Sequence, residues 1–233
     1  MIKQAMILAA GKGTRMRPLT LTTPKPLVCV ADKPLIVWHI ERLRQAGIDE
    51  ITINVGYLGD VIINALSSMS LGVNLKISDE SKLPEPLETA GGIRYALAGG
   101  LLDDAPFVLI NGDVWTQFDL ATLAAVQLNE RLAHLVLTDN PEHNPAGDFV
   151  LCGEQVAPKT DGLPSCTFAG LSVLSPKIVA DVGVGQIAPL APRLRQAMDK
   201  GQVTGELMTQ MWVDVGTLER LAMVDAYART ITA

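Results

Sequence analysis

The chain has 233 residues and a formal net charge of −6 at pH 7; 48% of its residues are hydrophobic and 19% are charged. This composition is typical of a well-packed globular protein, and the length suits a single α/β domain. The acidic balance, with an aromatic content of only 4%, argues against a nucleic-acid binder, because such proteins need a basic surface. Any phosphate ligand should therefore be small and be held by a local positive loop.

The sequence contains no sign of a membrane or secretory segment. No apolar run reaches the roughly 18 residues that a membrane helix requires, and the start, MIKQAMILAAGKG, lacks the pattern of a cleavable signal peptide. Cys29, Cys152 and Cys166 are widely spaced and odd in number, which predicts neither a disulfide framework nor a zinc site. We therefore expect a cytoplasmic protein that binds neither membranes nor nucleic acids.

Apolar runs alternate with amphipathic stretches up to about residue 139, which indicates βαβ units and a mostly parallel sheet. In chain order the pattern predicts strands at 6–8, 51–55, 73–77, 107–113 and 134–139, alternating with helices at 33–46, 59–66, from near Thr89 and at 120–131.

The pattern changes beyond residue 147. The sequence then predicts a short hairpin (GDFVLCGEQVAPKT), a strand that rejoins the sheet (TFAGLSVLSP) and a short strand (MWVDVG) between helices near 189–199 and 217–230. No internal repeat and no Pro- or Gly-rich linker interrupts the chain. We therefore predict one domain over residues 1–233.

A loop rich in glycine, proline and positive charge follows the first predicted strand, in LAAGKGTRMRPLTLTTPKPL at 8–27. Gly11 and Gly13 would let backbone N–H groups approach an anion at the carboxyl end of the sheet. Arg15 and Lys25 add positive charge, and the prolines on both sides of Lys25 restrict its backbone. The spacing matches neither a Walker loop nor the dinucleotide fingerprint. A surface turn with solvated cations remains the alternative.

This stretch resembles the signature of sugar-phosphate nucleotidylyltransferases, a G-x-G-T-R loop followed by P-K-P, and the resemblance extends along essentially the whole chain. Gly13, Thr14, Arg15 and Lys25 match the signature position by position. The resemblance implies that the loop wraps a nucleoside triphosphate and that the lysine contacts its phosphates. It also implies a Rossmann-like α/β fold, with a mixed but mostly parallel sheet, helices on both faces and a small β-hairpin appendage. Many members carry a C-terminal β-helix, but we expect none here.

Two aspartates end predicted strands and are candidate metal ligands. Asp113 follows a buried strand at the sheet edge that carries the glycine loop, and Asp214 precedes the last predicted helix. A divalent cation would offset the repulsion between two phosphate substrates, and hard cations prefer carboxylate oxygens. The family resemblance implies that this pair holds Mg²⁺, with Mn²⁺ also suitable. The structural alternatives are a turn-forming role for Asp113 and a helix-capping role for Asp214.

Further residues are assigned by resemblance alone. The segment EPLETAGGIRYAL resembles the family's base-recognition segment, which implies nucleotide contacts for Glu85, Glu88 and Thr89. Glu88 stands where the family commonly has Gly, and the usual upstream Gln is absent, so we expect backbone atoms to read the base. Asn111 would contact the sugar phosphate. Asp148 would contact the sugar, with a hairpin-turn role as the alternative.

Longer blocks, including NGDVWT and AHLVLTDNPEHNPAGDF, are similar to short bacterial uridylyltransferases that act on N-acetylmuramate 1-phosphate. This resemblance implies UTP and that sugar 1-phosphate as substrates, in peptidoglycan recycling. The lactyl carboxylate of the sugar would need a cation, and Lys159 and several arginines are candidates.

Two alternatives and one further expectation accompany this assignment. The enzyme could take glucose, mannose or N-acetylglucosamine 1-phosphate with UTP, dTTP or GTP. A non-catalytic nucleotide-sugar sensor on this fold would be free to lose Lys25, Asp113 or Asp214, which this chain keeps. We expect a monomer, because extended relatives assemble largely through their added domains.

Overall fold

The computed structural model describes residues 1–232. In that part of the chain the strands are β1 (Gln4–Leu8), β2 (Cys29–Val30), β3 (Lys33–Pro34), β4 (Glu50–Val55), β5 (Asn74–Asp79), β6 (Phe107–Asn111), β7 (Val114–Thr116), β8 (Ala133–Thr138), β9 (Phe149–Cys152), β10 (Gln155–Pro158), β11 (Thr167–Leu174), β12 (Val203–Leu207) and β13 (Trp212–Asp214). The α-helices are α1 (Leu35–Gln45), α2 (Gly59–Ser67), α3 (Glu88–Ala98), α4 (Leu120–Ala125), α5 (Ala191–Met198) and α6 (Leu218–Thr232).

The main sheet has the strand order β5-β4-β1-β6-β11-β8-β12-β10-β9. Strands β5, β4, β1 and β6 are parallel neighbours, and β12 is parallel to β8. Strands β11 and β10 are antiparallel to both of their neighbours, so they alone oppose the common direction. The mostly parallel sheet is confirmed. The predicted hairpin, β9 and β10, forms the last two strands of the sheet, and β13 pairs with β7 in a separate two-stranded sheet.

The central strands are buried because helices cover both faces of the sheet. Successive side chains of a strand point to opposite faces. Ile7 of β1 therefore belongs to one hydrophobic cluster with Ile40 of α1, whereas Met6 belongs to a second cluster with Ile93 of α3. The expected placement of helices on both faces is confirmed.

Several predicted elements differ in extent from the structure. The strand predicted at 107–113 ends at Asn111, and Asp113 lies in the turn before β7, as its structural alternative supposed. The helix predicted at 120–131 ends at Ala125, because the backbone N–H of Ile2 donates to the Ala124 carbonyl at 2.8 Å and Asn129 takes a positive φ of 51°. The helix predicted from residue 33 begins at Leu35, since Lys33 and Pro34 pair with β2.

Parallel pairing brings three strand ends together at the edge where the predicted site lies. Leu8 of β1 is in register with Asn54 of β4 on one side and with Asn111 of β6 on the other. The chain leaves β1 toward β4 and returns at β6, so β1 marks the switch point at which α/β sheets bind ligands. Within residues 1–232 no helix is long and apolar enough to cross a membrane.

Candidate active site

Two adjoining cavities lie at the carboxyl ends of β1 and β6. The first, which we call the loop cavity, has a volume of about 360 Å³ and is lined chiefly by residues 8–12, Lys25 and residues 111–113. The second, the aspartate cavity, has a volume of about 250 Å³ and contains Asp113 and Asp214. The glycine loop and both aspartates therefore border one continuous space.

A third cavity, which we call the hairpin cavity, has a volume of about 700 Å³ and lies between the β9–β10 hairpin and α5. Glu88 and Thr89 line both this cavity and the loop cavity. Asn111 lines all three cavities. The three spaces thus form a single cleft, and Asn111 stands at their junction, between the candidate nucleotide and sugar sides.

Two glycines have different roles in the glycine loop: Gly13 allows its backbone conformation, and Gly11 leaves free space beside the backbone. Gly13 has a φ of +58°, and a Cβ there would lie 3.0 Å from the Thr20 side chain, whose hydroxyl donates to the Gly13 carbonyl at 2.8 Å. A Cβ on Gly11 would meet nothing within 4 Å. Gly11 lines the loop cavity. No protein atom fills the space beside its backbone, so a ligand could approach it there.

Lys25 brings the two aspartates together. Its side chain is 10% exposed, and its ammonium donates to Asp113 Oδ2 at 2.6 Å. The same Nζ lies 3.8 Å from Asp214 Oδ1. A short helical turn over Lys25–Leu27 fixes the backbone beneath the side chain, with Pro24 before it in an extended conformation. The lysine and the two aspartates, which the sequence analysis assigned to phosphate and metal binding, thus converge on one point.

Asp214 lies among three further cationic or titratable side chains. Its Oδ2 is 3.6 Å from Arg15, 3.4 Å from Arg220 and 3.6 Å from His143. Burial first, and then the Arg220 charge, hold the pKa of His143 below its usual range, so this ring is mostly neutral at pH 7. The surplus of positive charge around one carboxylate is suited to binding a polyanion.

The capping alternative for Asp214 is not observed. The hydroxyl of Thr217 accepts from the backbone N–H of Arg220 at the start of α6, and the buried Oδ1 of Asp214 has no hydrogen-bond partner in the described structure. Gly216 makes room beside it, because a Cβ there would collide with the guanidinium groups of Arg15 and Arg220. The Asp214 carboxylate is therefore held by its neighbours but does not cap α6.

The two carboxylates fit a hard divalent cation of the magnesium type. They supply oxygen ligands only, and one of these, Asp214 Oδ1, is an unsatisfied buried acceptor. Residues 1–232 contain no cluster of three or more His, Cys, Asp or Glu suited to a metal. Mg²⁺ commonly binds through one or two carboxylates together with substrate phosphates and water, so a pair is sufficient.

The start of α3 carries the candidate base-reading residues. Glu88 has a positive φ of 59°, a conformation that glycine adopts more readily than other residues. Thr89 follows it and is half-buried. Glu85 is exposed and lies outside the three cavities. The structure therefore brings Glu88 and Thr89 to the cleft but not Glu85.

Two buried polar residues that the sequence analysis missed connect the glycine loop to this segment. The Asn54 side chain accepts from the backbone N–H of Ala9 at 2.9 Å and donates to Glu80 at 2.9 Å. Glu80 in turn accepts from the Leu87 N–H at 3.5 Å, and burial raises the pKa of its carboxyl. The signal was a polar Asn at the end of an apolar strand, EITINV.

Asn111 and Asp148 both lie against strand β11. Gly170 of β11 has a φ of +73°, and a Cβ there would lie 2.9 Å from Asn111 Nδ2, in a segment where the pairing register shifts. Asp148 accepts from the Phe168 N–H at 2.9 Å and from Asn144 at 3.2 Å. These bonds favour the turn-holding role for Asp148, although it also lines the hairpin cavity.

Thr14 completes the predicted set. It begins a short helical turn over Thr14–Met16 and is exposed. Neither Thr14 nor Arg15 lines the loop cavity. Arg15 instead reaches the aspartate side of the cleft through its ion pair with Asp214.

Comparison with known proteins places this site in a known family. The family model described as nucleotidyl transferase matches residues 4–149, which include the glycine loop, Lys25 and Asp113. The solved structure of UDP-glucose pyrophosphorylase from Acinetobacter baumanii has a TM-score of 0.79 at 20% identity, covering 97% of this chain and 93% of that one. This likeness supports the fold.

Two relatives illustrate the range of the match. The N-acetylmuramate alpha-1-phosphate uridylyltransferase of Neisseria meningitidis serogroup B is 48% identical, over 97% of this chain and 98% of its own length. The mannose-1-phosphate guanyltransferase of Emericella nidulans is 30% identical over 91% of this chain, but the match spans only 60% of that protein. Both the matched domain and the nearly full-length relative show that the chain belongs to the nucleotidyl transferase family.

Proposed function

We propose that the protein joins UTP and N-acetyl-α-D-muramate 1-phosphate to give UDP-N-acetylmuramate and pyrophosphate, in cytoplasmic recycling of the bacterial cell wall. The convergence of Lys25, Asp113 and Asp214 on one point beside the glycine loop carries the proposal of nucleotidyl transfer. The 48% identity to a uridylyltransferase over nearly the full length supports the choice of sugar and base.

In this proposal the sugar phosphate oxygen attacks the α-phosphorus of UTP in line, and pyrophosphate leaves. Catalysis rests on positioning and charge stabilisation, as in phosphoryl transfer generally. Backbone N–H groups of the loop at Gly11 and Gly13 hold the triphosphate, while Lys25 and Arg15 offset the charge on the α-phosphate and the leaving group. Asn111 orients the sugar phosphate at the junction of the cavities.

A divalent cation, Mg²⁺ or Mn²⁺, would be held by Asp113 and Asp214 and would supply charge neutralisation between the two phosphate substrates. In the free protein Lys25 occupies the space between these carboxylates. Binding of the triphosphate therefore requires the ammonium to exchange a carboxylate partner for a phosphate oxygen. At the base, the backbone at Glu88 and Thr89 would meet the uracil edge.

The test is a grid of pyrophosphate-release assays over four sugar 1-phosphates and over UTP, dTTP and GTP. We expect the highest kcat/KM for UTP with N-acetylmuramate 1-phosphate. The relation to a mannose-1-phosphate guanyltransferase makes mannose 1-phosphate with GTP the second candidate pair. A higher kcat/KM for any other pair would replace the proposed substrates, and no turnover with any pair would favour a sensor. Light scattering after size exclusion tests the proposed monomer.

A further inference from the structure

The hairpin cavity has walls that the loop cavity lacks. These walls come from the β9–β10 hairpin and from α5. Among residues 1–232, the hairpin cavity and the loop cavity share Asn111, Glu88 and Thr89 as lining residues. A volume of about 700 Å³ lies within the range of small-molecule sites, roughly 300–1,000 Å³. A sugar whose phosphate lies at Asn111 would therefore extend into this cavity.

Two cations line the cavity from different walls and have no ionic partner in the described structure. Lys159 directly follows β10, and Arg195 lies in the last turn of α5. Arg193, on the same helix, already pairs with Asp181 at 3.1 Å. Asp148, an acidic group of the cavity, is engaged by Phe168 and Asn144. Lys159 and Arg195 are thus free to meet an anion.

Part of the lining of this cavity is apolar. Phe168 of β11 and the buried Leu194 of α5 contribute to the lining. An apolar surface suits the carbon skeleton of a sugar, and its low polarity strengthens a charge pair formed above it.

We propose that Lys159 and Arg195 bind a carboxylate carried by the sugar ring of the substrate, and so distinguish an acidic sugar from its neutral counterpart. The inference rests on the proposed function, in which the acidic sugar is N-acetylmuramate with its lactyl carboxylate. The neutral counterpart, N-acetylglucosamine 1-phosphate, shares the ring, the acetamido group and the phosphate.

The test compares kcat/KM for these two sugar phosphates, each with UTP, in the full chain and in Lys159→Met and Arg195→Met. Methionine keeps the length and apolar stem of the side chain but removes its charge. Loss of a hydrogen bond to a charged group corresponds to about tenfold or more. We expect each variant to lower kcat/KM for the acidic sugar about tenfold and to change it less than about twofold for the neutral one. Where the neutral sugar turns over too slowly, its inhibition constant replaces kcat/KM.

Lys200→Met is the matched control, since Lys200 is exposed just beyond α5 and lies outside the hairpin cavity. It should leave both substrates unchanged. An equal loss on the acidic and neutral sugars, or no loss on either, would overturn the assignment of the two cations. If the unmodified protein turns over no N-acetylmuramate 1-phosphate, the proposed function itself fails, a result distinct from a variant that retains its selectivity.

Discussion

At the scale of single residues, one ammonium group lies between two carboxylates. Lys25 is nearly buried, and its contacts with Asp113 and Asp214 compensate its charge in the free protein. Burying a charge without a partner is costly, so these three residues depend on one another. The same arrangement keeps the two carboxylates close enough to act together when phosphates bind. The contacts that stabilise Lys25 in the fold are therefore also the ones that prepare the site.

The first prediction concerns Asp214→Asn. The amide keeps the shape of the side chain but removes the charge that a divalent cation would need. We expect pyrophosphate release to fall by about 10²–10³-fold or more, the scale of losing a group that stabilises transition-state charge. The far-UV circular dichroism spectrum should stay unchanged.

Asp104→Asn is the control for this prediction, because Asp104 is exposed and lies outside the three cavities. It should retain the activity of the unmodified protein. Near-normal turnover of Asp214→Asn would remove Asp214 from the metal site.

The second prediction concerns His39, which is 3% exposed in α1 and whose Nε2 has no partner in the described structure. Burial, the main cause, lowers its pKa from 6.5 to about 4. The unfolded chain binds this proton at a higher pH than the folded protein, so the stability that His39 contributes is complete above pH 6.5 and lost as the pH falls toward 4. Between pH 7 and pH 5 the loss should be about 2 kcal/mol.

Urea unfolding at both pH values measures this loss. His39→Gln cannot titrate, so its free energy of unfolding should fall less on acidification, by about the same 2 kcal/mol. If the free energy of unfolding fell equally from pH 7 to pH 5 in both proteins, the pH dependence could not be assigned to His39.

Residue identity predicted only part of the site. Lys25, Asp113 and Asp214 could be predicted because each belongs to a motif or lies at or just after the end of an apolar strand. His143 and Arg220 could not, since their approach to Asp214 depends on how a long loop and α6 pack. Glu85 was predicted but does not reach the site. Its neighbours in the sequence line the cleft, but Glu85 itself is exposed and lines none of the three cavities.

At the scale of elements, buried apolar strands were easier to predict than mixed ones. Strand β1 is an apolar run and was predicted, whereas β12, Val-Thr-Gly-Glu-Leu, gave no such pattern. Gly205 in β12 is nevertheless required by packing, because a Cβ there would lie 2.6 Å from the Leu135 carbonyl oxygen. Close approach between neighbouring elements is a tertiary property that local sequence patterns do not report.

The third prediction concerns the first residue of α3. Glu88 has a φ of +59°, a left-handed conformation that costs a non-glycine residue roughly 1–2 kcal/mol. Glu88→Gly and Glu88→Ala both remove the carboxylate from the helix start, but only glycine relieves the backbone. We expect the Gly variant to be more stable than the Ala variant by about 1 kcal/mol, as measured by urea unfolding. Equal stability would mean that Glu88 is not held in this conformation.

At the scale of the whole molecule, the cleft is assembled from distant parts of the chain. The loop cavity uses the parallel half of the sheet, while the hairpin cavity uses the hairpin and α5. The parallel half was predicted nearly strand by strand. The position of the hairpin was not, because its pairing with β12 joins Gln155 to Thr204, a contact that no local pattern reveals.

The fourth prediction is that the described chain unfolds as one domain. The two large hydrophobic clusters lie on opposite faces of one sheet, so neither can be exposed without breaking strands that the other needs.

Helix α6 is attached through Tyr227, whose ring lies 5.8 Å from Trp115, and Trp212 donates to the Ala169 carbonyl of β11. Tryptophan fluorescence therefore reports chiefly the packing of β7, β13 and α6, since the third tryptophan, Trp38, also contacts Trp115, whereas far-UV circular dichroism reports the helices as a whole. In urea both signals should give the same midpoint and the same slope, the signature of a single cooperative transition. Separate midpoints would show that α6 and β13 unfold independently of the main sheet, and the aspartate side of the site would then be the less stable part.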